Sequence, residues 1–578
     1  MRSRDEAVAA LKAAAKSDAV LIVGGGINGI GLFRDLALQG IPSILVDKAD
    51  FASGTSAAPS RLIHGGLRYL ETGEFALVRE SVIERNHLVR NAPHLVKPIP
   101  VWVPAFNWFG GVLSAGLRFL RLKKTPGAKG ILVIKLGLVF FDRFGRRNQV
   151  MPGHRIMPRD ELRRRMPGLS PRVRAIAEYY DARLVHPERL ALELVKDAER
   201  DCPASVAVPY LGLVGVDGDE VLLRDETSGE EIRLKTRLVV NCTGAWADEA
   251  NRRLGIDGRL IGGTRGSHLV LRRPDIARQL GDGMLYFETR DFRACLVYAL
   301  DAEHILTGTT DIHANDPDRP TCSEEEIDYI FDVLEQVLPG SAAKRDEIVF
   351  AYAGIRPLPY SGDATTGSIS RDHSLRNYEP DDARRFPVLT LVGGKWTTYR
   401  ACAEQIADAV MARLGVARRR GTLDVPIGGG AGFPSDSDRQ REEIGQIARR
   451  FGLEPATVAI LHRRYGTQAE AVAAFVAQAD GGAVDDDGRY HAGEIRWIVA
   501  EERVTHLADI VLRRTLMPFE NAVTMTGLER IAAIAGDALG WDAERRKQEI
   551  AETAALLERR YRVRLDGYAQ AHALESLP

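Results

Sequence analysis

The chain has 578 residues, and its 78 lysines and arginines nearly balance its 79 aspartates and glutamates, so the formal net charge is −1. With 45% hydrophobic and 27% charged residues, the composition is that of an ordinary globular protein of several domains, which excludes a small disulfide-stapled scaffold, wholesale disorder and a collagen-like repeat. No global positive charge favours nucleic-acid binding, and the five scattered cysteines lack zinc-ligand spacing, so we expect neither nucleic acid nor metal.

The first clear element is an apolar run at 19–23, which predicts a strand that leads into a glycine-rich turn, a helix and a second strand. The turn carries Gly24, Gly26 and Gly29 at G-x-G-x-x-G spacing, and Asp47 follows the last of them by 18 residues. Such glycines permit close backbone approach to a pyrophosphate, the helix N-terminus offers free N–H groups, and the carboxylate accepts from ribose hydroxyls. The pattern predicts a dinucleotide site but does not by itself distinguish FAD from NAD.

Two later apolar runs, 237–242 and 388–392, also lead into glycine, at Gly244 and Gly393. In open α/β sheets, ligands bind at the carboxyl ends of the strands. We therefore expect the ends of all three strands to form one site.

Between these two runs, three strand-like stretches predict an antiparallel sheet over the cofactor domain: 266–272, 294–300 and 304–308. Such a sheet is the natural place for a substrate pocket. The stretch 418–438 has the glycine, proline and polar composition of a linker, and apolar residues then recur at helical spacing. A separate helical domain is predicted from about residue 439.

Six motifs spread along the chain carry a resemblance to a known family. They are 53–70, 265–268, 308–311, 354–357, 369–372 and 393–400. In these stretches the sequence resembles the FAD-dependent glycerol-3-phosphate dehydrogenases, of the same fold group as D-amino-acid oxidase. The resemblance covers nearly the whole chain and implies FAD as the cofactor. Arg61 stands where the family often has lysine, and Asp47 where glutamate is common; both keep their charge.

The fold that this resemblance implies is α/β, with a Rossmann-like FAD-binding domain, an antiparallel-sheet substrate domain and a C-terminal helical domain. The predicted ranges are 17–106, 151–264 and 346–417 for the FAD-binding domain, 107–150 for a basic apolar membrane-facing segment, 265–345 for the substrate sheet, 418–438 for the linker and 439–578 for the helical domain.

The cofactor-binding residues expected from the fingerprint and the resemblance lie around the strand ends and in the 53–70 motif. They are Gly24, Gly26, Ile27, Asn28, Gly29, Asp47, Lys48, Thr55, Ser56, Ser60, Arg61, Leu62, Ile63, Thr243, Gly244, Gly394, Lys395, Thr397 and Thr398.

The reaction that the resemblance implies is oxidation of the C2 hydroxyl of sn-glycerol 3-phosphate to dihydroxyacetone phosphate, with hydride passing to flavin N5. The substrate phosphate carries about −1.5 to −2 charges and needs several cations with forked donors. The expected substrate-binding residues are Arg68, Tyr69, Arg356, Arg371 and Lys395. We count Arg356 and Lys395 among the catalytic residues as well.

A base for the hydroxyl proton must titrate near the working pH, which favours histidine with its unperturbed pKa of about 6.5. Of the thirteen histidines, only His64 and His268 fall in the matching motifs. We favour His268 as the base, with His64 positioning substrate or flavin. For either residue, a structural hydrogen bond beside the cofactor is the alternative.

The family divides into enzymes that reduce membrane quinone and oxidases that use oxygen. One basic segment of this chain bears on which electron acceptor to expect. Residues 107–147 hold nine basic residues and one acidic residue, a net charge of +8, interleaved with aromatic residues. Their apolar run 131–141 is too short to span a bilayer, and Lys135, Asp142 and Arg146 fall on one helical stripe. The pattern favours a helix lying in the headgroup layer of an anionic membrane; a core helix with solvated basic flanks is the alternative.

We therefore expect a cytoplasmic enzyme, peripherally associated with the inner face of the cell membrane, that donates electrons to ubiquinone or menaquinone. An oxygen-using glycerol-3-phosphate oxidase is the nearest alternative, and an amino-acid oxidase of the same fold is the next. A non-catalytic flavin-binding membrane protein is the alternative from a different class. A homodimer is suggested only by analogy.

Overall fold

The computed structural model describes residues 1–14, 19–67, 74–107, 131–145, 150–289, 293–314, 316–362 and 372–566. Its strands are β1 (Val20–Val23), β2 (Ser43–Val46), β3 (Leu62–Ile63), β4 (Val96–Ala105), β5 (Arg155–Met157), β6 (Ala175–Leu184), β7 (Val206–Val208), β8 (Leu211–Asp217), β9 (Glu220–Asp225), β10 (Glu231–Lys235), β11 (Leu238–Asn241), β12 (Thr264–Arg272), β13 (Met284–Glu288), β14 (Ala294–Ala299), β15 (His304–Gly308), β16 (Ile312–His313), β17 (Ile348–Arg356), β18 (Ser374–Tyr378) and β19 (Val388–Val392).

Its α-helices are α1 (Arg4–Ala14), α2 (Ile27–Leu38), α3 (Phe75–Asn91), α4 (Ile131–Gly145), α5 (Arg159–Arg165), α6 (Pro187–Asp201), α7 (Ala247–Arg253), α8 (Pro274–Leu280), α9 (Glu324–Val337), α10 (Tyr399–Leu414), α11 (Ser437–Phe451), α12 (Pro455–Tyr465), α13 (Ala469–Gln478), α14 (Ala492–Glu501), α15 (Leu507–Asp509), α16 (Met525–Leu539) and α17 (Ala543–Tyr561). A π-helical segment, Ile510–Arg514, follows α15 directly.

A six-stranded sheet in the order β18-β19-β11-β1-β2-β7 forms the centre of the cofactor domain. Its inner strands are parallel, and β18 lies antiparallel at one edge. One face packs on α2, α6 and α10, and the other packs on α1 and the small β8–β10 sheet. Because both faces are covered, β1, β2, β11 and β19 are buried throughout, which accounts for their continuous apolar sequences.

The strands β19, β11 and β1 are consecutive neighbours in this sheet, although more than 360 residues separate the first from the last along the chain. They run parallel, so their carboxyl ends meet at one edge. The prediction that these strand ends come together is confirmed.

The second large sheet has ten strands, and the predicted runs appear in it as the antiparallel strands β12, β14 and β15. Strands β4 and β6 also belong to it, paired in antiparallel register from Val96 opposite Leu184 to Ala105 opposite Ala175. The sheet is therefore larger than the range 265–345 suggested, because the chain passes from one sheet to the other several times. The predicted fold class is confirmed, whereas the exact domain limits stay a prediction.

The C-terminal helices share one apolar cluster with the ten-stranded sheet and are joined to the cofactor domain by buried ion pairs. Arg514 is paired with Asp50 at 2.6 Å, with both side chains about 2% exposed. The 418–438 stretch is closely packed rather than extended between domains, since a Cβ on Gly429 would lie 1.9 Å from the carbonyl oxygen of Tyr465.

Helix α4 is the part of the basic segment that the structure describes; residues 108–130 and 146–149 lie outside the described ranges. Ile131, Ile134, Leu138 and Phe141 are buried on one face of the helix. Among the residues that are described, no helix is both long enough and apolar enough to cross a membrane.

Candidate active site

The glycine turn after β1 is built too tightly for other residues. Gly24 has a φ of +107°, and a Cβ there would lie 2.6 Å from the carbonyl oxygen of Cys242, the residue directly after β11. A Cβ on Gly29 would lie 2.0 Å from the carbonyl oxygen of Gly24. The turn therefore lets β1, β11 and the start of α2 approach each other closely, as a pyrophosphate site requires.

Asp47 follows β2 and points its carboxylate back toward the glycine turn. It accepts hydrogen bonds from the backbone N–H groups of Gly25, at 2.7 Å, and Ala49, at 2.9 Å. Burial raises the pKa of Asp47 and the two hydrogen bonds lower it; burial is the larger effect, and the pKa is about 6. Above that pH the carboxylate is ionised and suited to accept from ribose hydroxyls.

A cavity of about 400 Å³ opens at the carboxyl edge of the sheet. The predicted cofactor residues that line it are Gly24, Gly26, Ile27, Asn28, Asp47, Lys48, Thr55, Ser56, Thr243, Gly244, Gly394 and Lys395. Residues from four separate stretches of the chain are thus brought to one cavity.

The first turn of α2 faces this cavity with groups suited to an anion. No side chain caps the helix at Gly26, and Ile27 donates its N–H to Ser56 Oγ at 3.0 Å. Asn28 Oδ1 is buried without a hydrogen-bond partner among the described residues. A helix N-terminus whose N-cap glycine offers no side chain, close-packed glycines and a buried unsatisfied amide oxygen together fit a dinucleotide.

Other predicted cofactor residues lie behind the cavity wall rather than on it. Arg61 is 2% exposed; it donates to the carbonyl oxygen of Val185 at 2.6 Å and stacks on Phe519 at 3.6 Å from the ring centroid. Leu62 and Ile63 form the short strand β3. The contact of Arg61 with Phe519 connects the 53–70 motif to the C-terminal domain.

The remaining predicted cofactor residues also lie outside the cavity lining. Gly29 lies inside the first turn of α2. Thr397 accepts the backbone N–H of His64 at 3.2 Å, and Thr398 precedes α10 at its N-cap position. Ser60 is instead hydrogen-bonded to a predicted catalytic histidine.

That histidine is His268, in the middle of β12. Its Nε2 lies 2.8 Å from Ser60 Oγ, and its ring stacks on Tyr352 with centroids 5.0 Å apart. Nδ1 is buried and has no hydrogen-bond partner in the described part of the chain. Burial, and then the positive charge of Arg356, lower the pKa of His268 to about 3. The ring is therefore neutral at physiological pH and has a lone pair that can accept a proton.

Arg356 ends β17, the strand that pairs with β12. Its guanidinium donates to Asp311 Oδ1 at 3.0 Å, to the carbonyl oxygen of Thr310 at 3.2 Å and to Thr309 Oγ1 at 3.0 Å. It passes over Gly266, where a Cβ would lie 2.1 Å from it. The glycine in the 265–268 motif thus makes room for the arginine.

The part of the ten-stranded sheet that carries His268 and Arg356, on the paired strands β12 and β17, is connected to the cofactor cavity through residues 55–60. Thr55 lines the cavity and donates its hydroxyl to the carbonyl oxygen of Ile355 at 2.6 Å. Of the other predicted substrate residues, Lys395 lines the cavity, whereas Arg68, Tyr69 and Arg371 lie outside the described residues. His64 is half-buried beside Thr397.

The sequence did not indicate two further parts of the cavity wall. Tyr210 and Asp318 line it from loops, and Trp246 lines it from a short 3₁₀ helix, Gly244–Trp246; none of the three lies in a motif. Asp509, Arg513 and Arg560 line it from the C-terminal domain. No local pattern marks these residues, because their positions depend on how separate domains pack.

Comparisons with known proteins agree with this geometry. The family model described as FAD dependent oxidoreductase matches residues 19–409, and the model described as the C-terminal domain of alpha-glycerophosphate oxidase matches 420–546. A glycerol-3-phosphate dehydrogenase of Synechocystis sp. is 31% identical, with 92% of this chain and 94% of that protein covered. One from Mycobacterium leprae is also 31% identical, over 93% of this chain and 88% of that protein.

A D-erythritol 1-phosphate dehydrogenase of Brucella abortus is 28% identical, over 89% of this chain and 96% of that protein. Among solved structures, the glycerol-3-phosphate dehydrogenase of Bacillus halodurans complexed with FAD has the same fold, with a TM-score of 0.73 at 22% identity over 96% of this chain and 98% of that one. The chain therefore belongs to the family of FAD-dependent glycerol-3-phosphate dehydrogenases, within the FAD-dependent oxidoreductases, and its cofactor is FAD.

Proposed function

We propose that the chain oxidises sn-glycerol 3-phosphate to dihydroxyacetone phosphate and passes the electrons to a membrane quinone. The observation that carries the substrate assignment is that the paired strands β12 and β17 carry a buried neutral imidazole, His268, and the Arg356 guanidinium whose charge acts on it. A proton acceptor next to a forked cation suits a substrate that has both a hydroxyl and a phosphate. The relatives named for glycerol 3-phosphate support the same substrate.

FAD, when bound, supplies the acceptor for the hydride from C2, at flavin N5. His268 takes the hydroxyl proton on its unprotonated ring nitrogen, while Ser60 fixes the plane of the ring. Burial is the larger cause of the low pKa of His268, and the positive charge of Arg356 is the smaller. Arg356 attracts the phosphate by its charge, and the bound anion offsets this smaller cause only. Substrate binding therefore removes one of the two causes that lower the pKa of His268.

Anaerobic titration of the purified holoenzyme tests this function. sn-Glycerol 3-phosphate should bleach the visible flavin absorption rapidly, and glycerol, which lacks the phosphate, should bleach it far more slowly. D-erythritol 1-phosphate serves as the comparison substrate, because one relative is named for it. A flavin that stays oxidised with both phosphates would favour a non-catalytic flavin-binding protein and would refute the proposal.

The outer face of α4 supports the proposal of an electron acceptor in the membrane, because it is suited to contact with a membrane surface. Leu132, Leu136, Val139 and Phe140 are 43–61% exposed, opposite the face that packs on the protein. Exposed apolar residues on one helix, within a segment of net charge +8, suit an anionic membrane surface at the cytoplasmic side of the cell membrane. Hydrogen peroxide formed at the rate of substrate oxidation under air, with no stimulation by quinone, would instead support the oxidase alternative.

Replacing both Leu132 and Leu136 with glutamate should weaken binding to anionic phosphatidylglycerol vesicles about a hundredfold, because each leucine loses roughly a tenfold contribution from burial in the membrane. Vesicle sedimentation at low salt measures the effect. Leu539→Glu is the matched control, since Leu539 is also exposed but lies at the end of α16. Wild-type protein that stays entirely in the supernatant would contradict the membrane assignment.

A further inference from the structure

One wall of the cofactor cavity belongs to the C-terminal helical domain. This wall is formed by Ala508, Asp509, Leu512 and Arg513 from α15 and the π-helical segment, and by Leu556 and Arg560 from α17. The dinucleotide fingerprint lies more than 450 residues earlier in the chain. The cavity is thus completed by a domain that sequence patterns assign no cofactor role.

Two cations on this wall form no direct ion pair within the described part of the chain, although the charges of Glu188 and Asp50 act on Arg513 from farther away. Neither Arg513 nor Arg560 forms an ion pair with any residue that the structure describes, whereas Lys48 and Arg253 on the same cavity are paired with Asp318 and Glu249. Arg560 Nε is buried and has no hydrogen-bond partner among the described residues. Unpaired, partly buried guanidinium groups are costly unless an anion joins them.

Arg513 lies beside the loop that faces the N-terminus of α2. Its guanidinium reaches the carbonyl oxygen of Ser53 at 3.5 Å and the hydroxyl of Tyr561 at 3.4 Å. Three residues after Ser53, the Ser56 hydroxyl accepts the N–H of Ile27 in the first turn of α2. The arginine and the helix N-terminus therefore lie on either side of one short loop.

The π-helical segment fixes this arginine in position. Its last residue, Arg514, forms the buried ion pair with Asp50, in the same loop as Ser53. The two adjacent arginines therefore have different contacts: Arg514 joins the C-terminal domain to the cofactor domain, and Arg513 lines the cavity. Single π-turns within helices occur frequently at functional sites.

We propose that Arg513 and Arg560 bind the diphosphate of FAD, so that the C-terminal domain holds the cofactor in its cavity. The diphosphate is the anionic part of the dinucleotide, and guanidinium groups bind phosphate oxygens with forked geometry. The glycine turn and the helix N-terminus offer neutral N–H donors, so two cations would complete the neutralisation of its charge. The proposal rests on FAD as the cofactor and not on the identity of the substrate.

The test is the dissociation constant of FAD, followed by the fluorescence of released flavin. Arg513→Gln and Arg560→Gln should each raise it about ten- to hundredfold, as expected for loss of a charge-assisted hydrogen bond. Arg559→Gln, an exposed neighbour on the same helix, is the matched control and should leave it unchanged. Dissociation constants within twofold of the control in both glutamine variants would overturn the proposal.

The affinities of flavin-depleted protein for ADP, which has a diphosphate, and for adenosine, which lacks one, distinguish loss of the positive charge from a change in the structure of the cavity wall. Each glutamine variant should lose about tenfold or more of its affinity for ADP and keep its affinity for adenosine. Equal losses for both ligands would show a purely structural role and overturn the proposal. If the glutamine variants do not fold, Arg513→Lys and Arg560→Lys replace them. Lysine keeps the positive charge but lacks the forked N–H donors of a guanidinium, so these variants should weaken ADP binding and leave adenosine binding unchanged. Neither readout involves glycerol 3-phosphate, so failure of the substrate assignment leaves this test intact.

Discussion

Arg356→Gln is expected to lower kcat/KM for sn-glycerol 3-phosphate by about 10²- to 10³-fold, mainly by raising KM. The expectation follows from the cost of removing one partner of a desolvated, hydrogen-bonded charge pair, about 2–5 kcal/mol. Hydrogen bonds to Thr309, Thr310 and Asp311 hold the guanidinium in place, so its charge is fixed at this position before substrate binds. Steady-state kinetics with a soluble quinone analogue measure the loss.

Glycerol distinguishes this role from damage to the site. Because glycerol has no phosphate, its much slower oxidation should change less than threefold in Arg356→Gln. Arg272→Gln is the matched control, since Arg272 lies on β12 but is exposed, and among the described residues its only ion pair is with Glu303. Equal losses for glycerol and for glycerol 3-phosphate would mean that Arg356 shapes the sheet edge instead of binding the phosphate.

The dinucleotide site could be predicted from the sequence because its requirements are local. Glycines at fixed spacing, a strand before them and an acid after the next strand are all imposed within about 30 residues. The structure meets each requirement, down to the Asp47 carboxylate that accepts the N–H of Gly25.

Strand β4 could not be found in this way, because prolines obscure its pattern. Pro98, Pro100 and Pro104 remove three N–H groups from a strand that nevertheless pairs along its whole length with β6. The prolines recur at even positions, so their missing donors belong to the same side of the strand. Only the tertiary pairing shows that such a sequence joins a sheet.

Arg61 and Arg513 show the same limit at the level of single residues. Arg61 lies in a matching motif but packs on Phe519, whereas Arg513 lies in no motif and lines the cofactor cavity. Both positions depend on how the C-terminal domain packs on the cofactor domain. A residue's neighbours along the chain carry no information about that contact.

His268→Gln is expected to lower kcat by about 10²- to 10⁴-fold, the range for loss of a positioned general base. FAD affinity should not change, since His268 does not line the cofactor cavity. The glutamine amide can keep a hydrogen bond to Ser60, so the fold at this edge should persist. Rapid-reaction measurement of flavin reduction, at saturating substrate, isolates the affected step.

The pH dependence gives this prediction a second, independent readout. The pKa of His268 is about 3 in the free enzyme, so its ionisation should not appear in the pH profile of kcat/KM between about pH 5 and 8. In that range the substrate phosphate should titrate, near about pH 6.

The low pKa of His268 also affects the pH dependence of stability. Because an unfolded histidine has a pKa of 6.5, the unfolded chain binds the proton first, and the free energy of unfolding should fall as the pH drops from 6.5 toward 3. His268→Gln should make that decline shallower.

His64→Gln is the decisive comparison for the choice of base. A base at His268 predicts that His64→Gln changes kcat far less than His268→Gln does, because His64 then only positions substrate or flavin. If His64→Gln abolished flavin reduction while His268→Gln kept kcat within about threefold, the base would be His64. The acid-stability difference would remain in that case, since it depends on the burial of His268 and on the charge of Arg356, and not on catalysis.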